Sequence, residues 1–305
     1  MREGGLYPQA LEKGLRSERA LTLALAEMYV QGVSTRKVKA ITEQLCGVHI
    51  NSSAVSQAAG QLDNELAKWR ERPLGEYPFL FLDAYYEQVR EDGQVRDLAV
   101  LVGVNPTGKR EILGVSVPLS EHEVQWRAFL ESLKQRGLGG VQLITSDDHL
   151  GLRAARVAVF GGIPWQRGQF HLQQNAQAYV PRKDMLAEVA ADIRAIFDAP
   201  DRTTADTYLA QAVEKYFKSA LRLSEWLAAN IPEGITVFAF PASFRRLLRT
   251  TNGVERLHRE VRRRARVVSI FPNSASCLRL VSAILAEMSE EWWTGRTYIN
   301  FEGAL

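Results

Sequence analysis

The chain has 305 residues, 46% hydrophobic and 24% charged, with a formal net charge of +3, the profile of a soluble globular protein with one large domain and one or two smaller ones. No apolar run reaches the roughly 20 residues of a membrane span, no signal-peptide pattern opens the sequence, and Cys46 and Cys277 alone are too few for a disulfide framework or a cysteine zinc site. The expected compartment is the cytoplasm, with no membrane partner.

Residues 16–46 carry helical periodicity, with Leu21, Leu25, Met28 and Tyr29 on one face before a break at Gly32. A second helix is predicted after Ser34, with Val38, Ile41 and Leu45 at helical spacing and a C-cap at Gly47, and a third after Ser52. This is the rhythm of a helix–turn–helix. Arg36 and Lys37, with Lys39 beside them, are its expected DNA contacts, and Ser53, Ser56 and Gln57 would face the groove. A small helical bundle with capping serines fits the same spacing. The Pro- and Gly-containing stretch Trp69–Tyr77 marks a boundary, giving an N-terminal helical domain over 1–72.

Beyond it the pattern alternates. Strands are predicted at Phe79–Asp83, Arg96–Val104 and Glu111–Val117, the last two joined by the turn Asn105-Pro106-Thr107-Gly108. A capping box of Ser120 and Glu123 opens a helix to about Arg136, with Val124, Phe129, Leu130 and Leu133 inward. Val141–Thr145 is a fourth strand, followed by Ser146-Asp147 and a helix through Val159, and Ile163–Phe170 is a fifth. This order, with one acid ending the first strand and another ending the fourth, is ribonuclease H-like. Its first and fourth strands are neighbours, which would bring Asp83 and Asp147 together. From His171 to Leu248 the periodicity is helical except for the short apolar run Ile235–Phe240. The expected fold is therefore α/β: a ribonuclease H-like mixed-sheet core in two parts, 73–171 and 249–305, interrupted by an all-helical insertion over 172–248 and preceded by the N-terminal helix–turn–helix domain. Trp226, in the insertion, is expected to be buried.

Residues 240–270 hold nine Arg against two Glu, a local charge suited to phosphates. Thr251–Arg266 reads as a helix with Val254, Leu257, Val261 and, just beyond it, Val268 inward; Glu255 lies at the edge of that stripe, and Arg256, Arg259 and Arg263 remain available to DNA. Asp83, Asp147 and Glu255 are thus two acids at strand ends and one on a basic helix. Two-metal phosphodiester chemistry needs that combination, because the ions take oxygen ligands and the nucleic acid takes positive charge. Asp148 rivals Asp147 but is expected to cap the following helix, and His149 either borders the site or sits solvated at the helix start. Glu260 rivals Glu255 but is expected to pair with Arg256 or Arg264 at helical spacing.

The segments YVQGVSTRKV, FLDAYY, TSDDHLGL, WQRGQFHLQQN and LRTTNGVERLHREVRRRARVVSIFPN, in this order, resemble the Mutator-type transposases of bacterial insertion sequences, a branch of the DDE transposases, over nearly the whole chain. The resemblance implies a triad of Asp83, Asp147 and Glu255 binding two Mg²⁺ ions, with Mn²⁺ able to substitute. It implies strand cleavage at element ends and strand transfer into target DNA. The implied partners are double-stranded DNA, as terminal inverted repeats and target, and a second copy of the chain in the DNA complex, in a nucleoid-associated setting. The family pattern has a cysteine where this chain has Gly168, three residues before His171. Without that thiol His171 is expected to contact DNA or to start a helix rather than to bind zinc. The start close to the helix–turn–helix suggests that an upstream DNA-binding segment is missing. Two other readings follow: a truncated, catalytically weak copy that represses transposition from element ends, and a ribonuclease H-like nuclease acting on RNA–DNA hybrids or junctions.

Overall fold

The computed structural model describes residues 24–46, 51, 55, 60, 62–89, 95–117, 123–266, 268, 271 and 273–301. Ser53, Ser56, Gln57, Ser120, Leu21 and Gly47 lie outside them. The architecture is mixed α/β around a five-stranded sheet of order β3-β2-β1-β4-β5. Its strands are β1 (Phe79–Gln88), β2 (Val95–Val104), β3 (Arg110–Ser116), β4 (Leu143–Ser146) and β5 (Trp165–Arg167). β1, β2 and β3 form an antiparallel meander, whereas β4 runs parallel to β1 and β5 parallel to β4. The first and fourth strands are neighbours, as expected.

Asp83 does not end its strand. β2 pairs with β1 along its full length, with Asp83 opposite Val100, so antiparallel hydrogen bonding carries β1 on to Gln88. What ends near Asp83 is the parallel ladder, whose last pair is Leu82 with Ser146. Asp83 and Asp147 are each the next residue, at the carboxyl edge of one strand pair. The turn from β2 to β3 is held by Asn105 Oδ1, which accepts from the backbone N–H groups of Thr107 and Lys109, both at 3.0 Å. Gly108 supplies the φ of 78° that the turn requires.

Both faces of the sheet are covered, and alternate residues serve each. Leu80, Leu82, Leu101 and Leu113 are buried with Trp126, Phe129, Leu130 and Leu133 of α4 (Glu123–Gln135) and Leu152 and Ala155 of α5 (Leu150–Phe160). Val124, expected inward, is 74% exposed; Trp126 fixes the phase of that helix instead. Phe79, Phe81, Val100, Val102 and Ile112 pack on the opposite face, against α11 (Asn252–Ala265) and α12 (Ser274–Thr294). Asp83 shares the parity of Phe79 and Phe81 and so faces α11.

Of the N-terminal helices, α1 (24–30), α2 (Thr35–Cys46) and α3 (Asp63–Glu71), α2 has its Val38 buried with Leu25 of α1, while the first and third dock on α12. Val30, Tyr29, Leu62 and Trp69 join its core, and Arg279 Nε donates to Asp63 at 2.6 Å. Gly32 breaks the first two helices at φ 81°. Between β5 and α11 run α6 (Gln169–Ala176), α7 (Leu186–Phe197), α8 (Arg202–Phe217), α9 (Leu221–Asn230) and α10 (Ala242–Leu248). The first four enclose a separate core of Ile193, Ile196, Leu223 and Leu227, among others, whereas Phe244 and Leu248 of α10 join the core of the sheet. The predicted fifth strand is short because α6 takes over at Gln169. The Ile235–Phe240 run is no strand: Thr236–Ala239 form a 3₁₀ turn whose Val237 N–H donates to Gln166 Oε1 at 2.9 Å. Trp226 is buried and stacks on Tyr179 with ring centroids 5.4 Å apart. Among the described residues no helix is long and apolar enough to cross a membrane.

Candidate active site

α11 forms because Val254, Leu257, Val261 and Ala265 recur on one face and are buried. Its opposite face exposes Arg256, Arg259, Arg263 and Arg266. Thr251 O accepts from the N–H groups of Val254 (2.7 Å) and Glu255 (3.0 Å) and starts the helix, putting Glu255 in the first turn, where the helix dipole favours a negative charge.

The three predicted acids gather at the carboxyl edge of β1 and β4. His171, on the first turn of α6, joins two of them: its Nε2 lies 3.1 Å from Asp147 Oδ2 and 3.2 Å from Glu255 Oε1. Asp83, only 12% exposed, meets His258 Nδ1 at 3.3 Å and accepts from the Ala84 N–H at 2.9 Å through Oδ1. His258 is one turn beyond Glu255 on α11, so a single helix supplies one acid and a partner for another. Sequence reading missed His258. The available signal was its spacing of three from Glu255, which puts it between the acid and the buried stripe.

Asp147 is the most strained of these groups. Burial pushes its carboxyl up, His171 pulls it down, the charges of Asp83 and Glu255 push it up, and Arg167 pulls it down, leaving it raised to about 7. Its Oδ1 is buried and has no hydrogen-bond partner. Gly168 makes room for that oxygen, since a Cβ there would lie 2.9 Å from Asp147 Oδ1 and 3.5 Å from His171 Cδ2. His171, expected against DNA or at a helix start, lies in the first turn of α6 and is engaged with two acids.

The rival acids are committed elsewhere. Asp148 does not cap α5, whose N-cap is His149 without a side-chain cap bond. It pairs instead with buried Arg167 at 3.2 Å and lies 3.6 Å from Arg153. His149 is partly buried, its ring 6.4 Å from that of Trp126. Glu260 binds Arg263 and Arg264, each at 2.7 Å. These hydrogen bonds, Arg263's the largest, hold its carboxyl down at about 2. Arg264 is the expected helical partner, and it also reaches Glu287 at 2.7 Å. Arg263, though paired, has a side chain 64% exposed. Arg36 and Lys37 are exposed on α2, far in sequence from the acids.

The donors suit a hard divalent cation: three carboxylates, one with a buried oxygen lacking any partner. Among the described residues no three such side chains already converge on one cation-sized point, and His171 occupies the space between Asp147 and Glu255.

Residues 1–295 match the family model described as "Transposase, Mutator family". The transposase for insertion sequence element IS406 of Burkholderia multivorans is 57% identical over 305 residues, covering 99% of this chain and 79% of that protein. The transposase for ISRM5 of Rhizobium meliloti is 45% identical, covering 99% of this chain and 76% of that protein. That for IS256 in transposon Tn4001 of Staphylococcus aureus is 37% identical, covering 99% and 78%. With a family match over nearly its whole length and relatives at this identity, the chain belongs to the Mutator family of transposases.

Proposed function

We propose that this transposase cuts insertion-sequence ends and joins them to target DNA through a DDE triad of Asp83, Asp147 and Glu255 on a ribonuclease H-like sheet. The observation that carries the reading is positional: Asp83 and Asp147 follow the last rung of one parallel strand pair, and His171 links Asp147 to Glu255 across 3.1 and 3.2 Å. The order β3-β2-β1-β4-β5 with β2 alone antiparallel to the other four strands supports the ribonuclease H-like assignment.

In this reading the three carboxylates hold two Mg²⁺ or Mn²⁺ ions. Bound divalent ions supply Lewis-acid activation of the attacking oxygen and charge neutralisation at the leaving one. The remaining work falls to the chain. Asp147 offers its unpartnered Oδ1, His258 and the Ala84 N–H orient Asp83, and α11 presents Glu255 rigidly. His171 must turn away from its two carboxylates for both to serve as ligands, and a phosphate oxygen at the site is its natural next partner. Arg256, Arg259 and Arg263 neutralise backbone phosphates. Residues 1–72, with Arg36 and Lys37 on α2, act as a helix–turn–helix reading the terminal repeats. Two copies join two ends in the nucleoid.

The test incubates a labelled element end with the protein and Mg²⁺ or Mn²⁺, beside Asp83→Asn. Metal-dependent nicking lost in the variant supports the proposal. Binding without nicking favours a repressor, and preference for an RNA–DNA hybrid over the end sequence overturns the transposase chemistry.

A further inference from the structure

We propose that Arg110 is a preset anchor for one backbone phosphate of the DNA, beside the acid-bearing helix; the inference rests on the DNA reading above. Arg110 opens β3, and its guanidinium is clamped between two rings, 4.2 Å from the Trp292 centroid and 4.5 Å from that of Tyr298. Tyr298 is itself fixed, its hydroxyl donating to Leu247 O at 3.2 Å and its N–H to Gly108 O at 2.8 Å. Two aromatic faces set the plane of the guanidinium and leave its N–H edge as the part free to bind. Among the described residues no carboxylate pairs with it.

What borders that edge is positive. Arg110 Nη1 comes within 3.2 Å of where a side chain on Gly253 would begin, so it sits at the N-terminal turn of α11, whose N–H groups and dipole favour an anion. Arg256, one turn on, is exposed and adds a second cation. Burial, offset in part by Tyr298, together with Arg256 pushes the Arg110 guanidinium below its usual basicity. A partly desolvated cation held against another cation and a helix N-terminus is costly until an anion arrives. The stripe of Arg256, Arg259 and Arg263 continues from this point, so the anion that meets all of them is a phosphate chain. The competing explanation is mechanical: Arg110 clasps the C-terminal segment to β3.

The test uses the full chain carrying Asp83→Asn, so that binding is read without cutting, in calcium buffer over a salt series with an element-end duplex. R110Q is expected to weaken binding about ten-fold and to lower the salt slope by about one phosphate's share. R110K keeps the charge but loses the stacked planar fork, and should fall between. Methylphosphonates placed singly along the duplex should each weaken the parent at its contacted phosphates, with one of those positions losing its effect in R110Q. A folded R110Q with unchanged slope and profile would overturn the inference and leave the clasp. If R110Q fails to fold, the same scan on R110K decides: no altered position overturns it equally. A parent that binds no duplex at all would instead sink the DNA reading beneath it.

Discussion

Replacing Asp147 by Asn should make the metal-free protein more stable at alkaline pH while removing its response to magnesium. The carboxyl is raised from 3.8 to about 7 in the folded chain. The folded state therefore holds this proton more tightly than the unfolded state. The associated stability is fully present below about pH 4 and is lost as pH rises through about 7. A shift of about three units corresponds to a ceiling near 4 kcal/mol at pH 8. The side chain is 30% exposed and touches His171, so solvent and the imidazole relieve part of that, and about 2 kcal/mol is the working expectation. Asn keeps the shape without the charge. In urea unfolding with EDTA, Asp147→Asn should exceed wild type by about 2 kcal/mol at pH 8, with the gap shrinking below pH 7 and closing near 4. Adding Mg²⁺ at pH 8 should raise the wild-type midpoint but not the variant's. A variant no more stable than wild type at pH 8 without metal would refute the idea that burial of this charge outweighs what His171 and Arg167 return.

Three further outcomes are expected. Gly108→Ala should cost about 3 kcal/mol in urea unfolding, since it forces an L side chain to φ 78° with its Cβ 1.8 Å from Ile299 O and disturbs the bonds from Tyr298 and Ile299 to Gly108 O; Gly162→Ala, with nothing within 4 Å, is the near-neutral control. Arg264→Met should cost about 2 kcal/mol by the same measurement, because Glu260 and Glu287 lose a shared partner that is only 8% exposed, and the Glu260 carboxyl should rise from about 2 when followed by NMR. His258→Gln should slow end cleavage about ten-fold with end binding unchanged, because it loosens Asp83 rather than the DNA contacts; equal losses in both assays would contradict that role.

The meeting of Asp83 with Asp147 was legible because it follows from strand order, and strand order is written in hydrophobic alternation and in the turn at Asn105–Gly108. Glu255 was legible for a different reason: the inward stripe Val254, Leu257, Val261 fixes the rotation of α11 and with it the direction of every neighbour. What could not be read depends on partners distant in sequence. β1 runs past Asp83 because β2 is as long as it is, which no property of FLFLDAYYEQ announces. The Val237 N–H is taken by Gln166, so an apolar run that looks like a strand becomes a 3₁₀ turn. Asp148 has a capping residue's type and place, but Arg167, 4% exposed, needs its charge more. Trp126 outweighs Val124 in setting the face of α4 simply by burying more surface. Arg110 owes its setting to Trp292 and Tyr298, contributed by the far end of the chain.

The helices between β5 and α11 leave the sheet and come back beside the point where they left it. Gln169 N–H donates to Arg249 O at 3.0 Å and the Thr145 hydroxyl to Leu248 O at 2.7 Å, while α6 to α9 between them close on a core of their own. In mechanical terms the excursion is a side arm bolted at both feet to the same bracket. Growth or trimming within α7 and α8, which lie outside the Gln166 bonds to Gly234 and Val237 and the Phe240 and Phe244 contacts with Phe79, transmits no length change to the bracket. The spacing of Asp147 and Glu255 is therefore decoupled from the size of whatever the arm carries, and the outer surface of this transposase can be remodelled while its three acids keep their places.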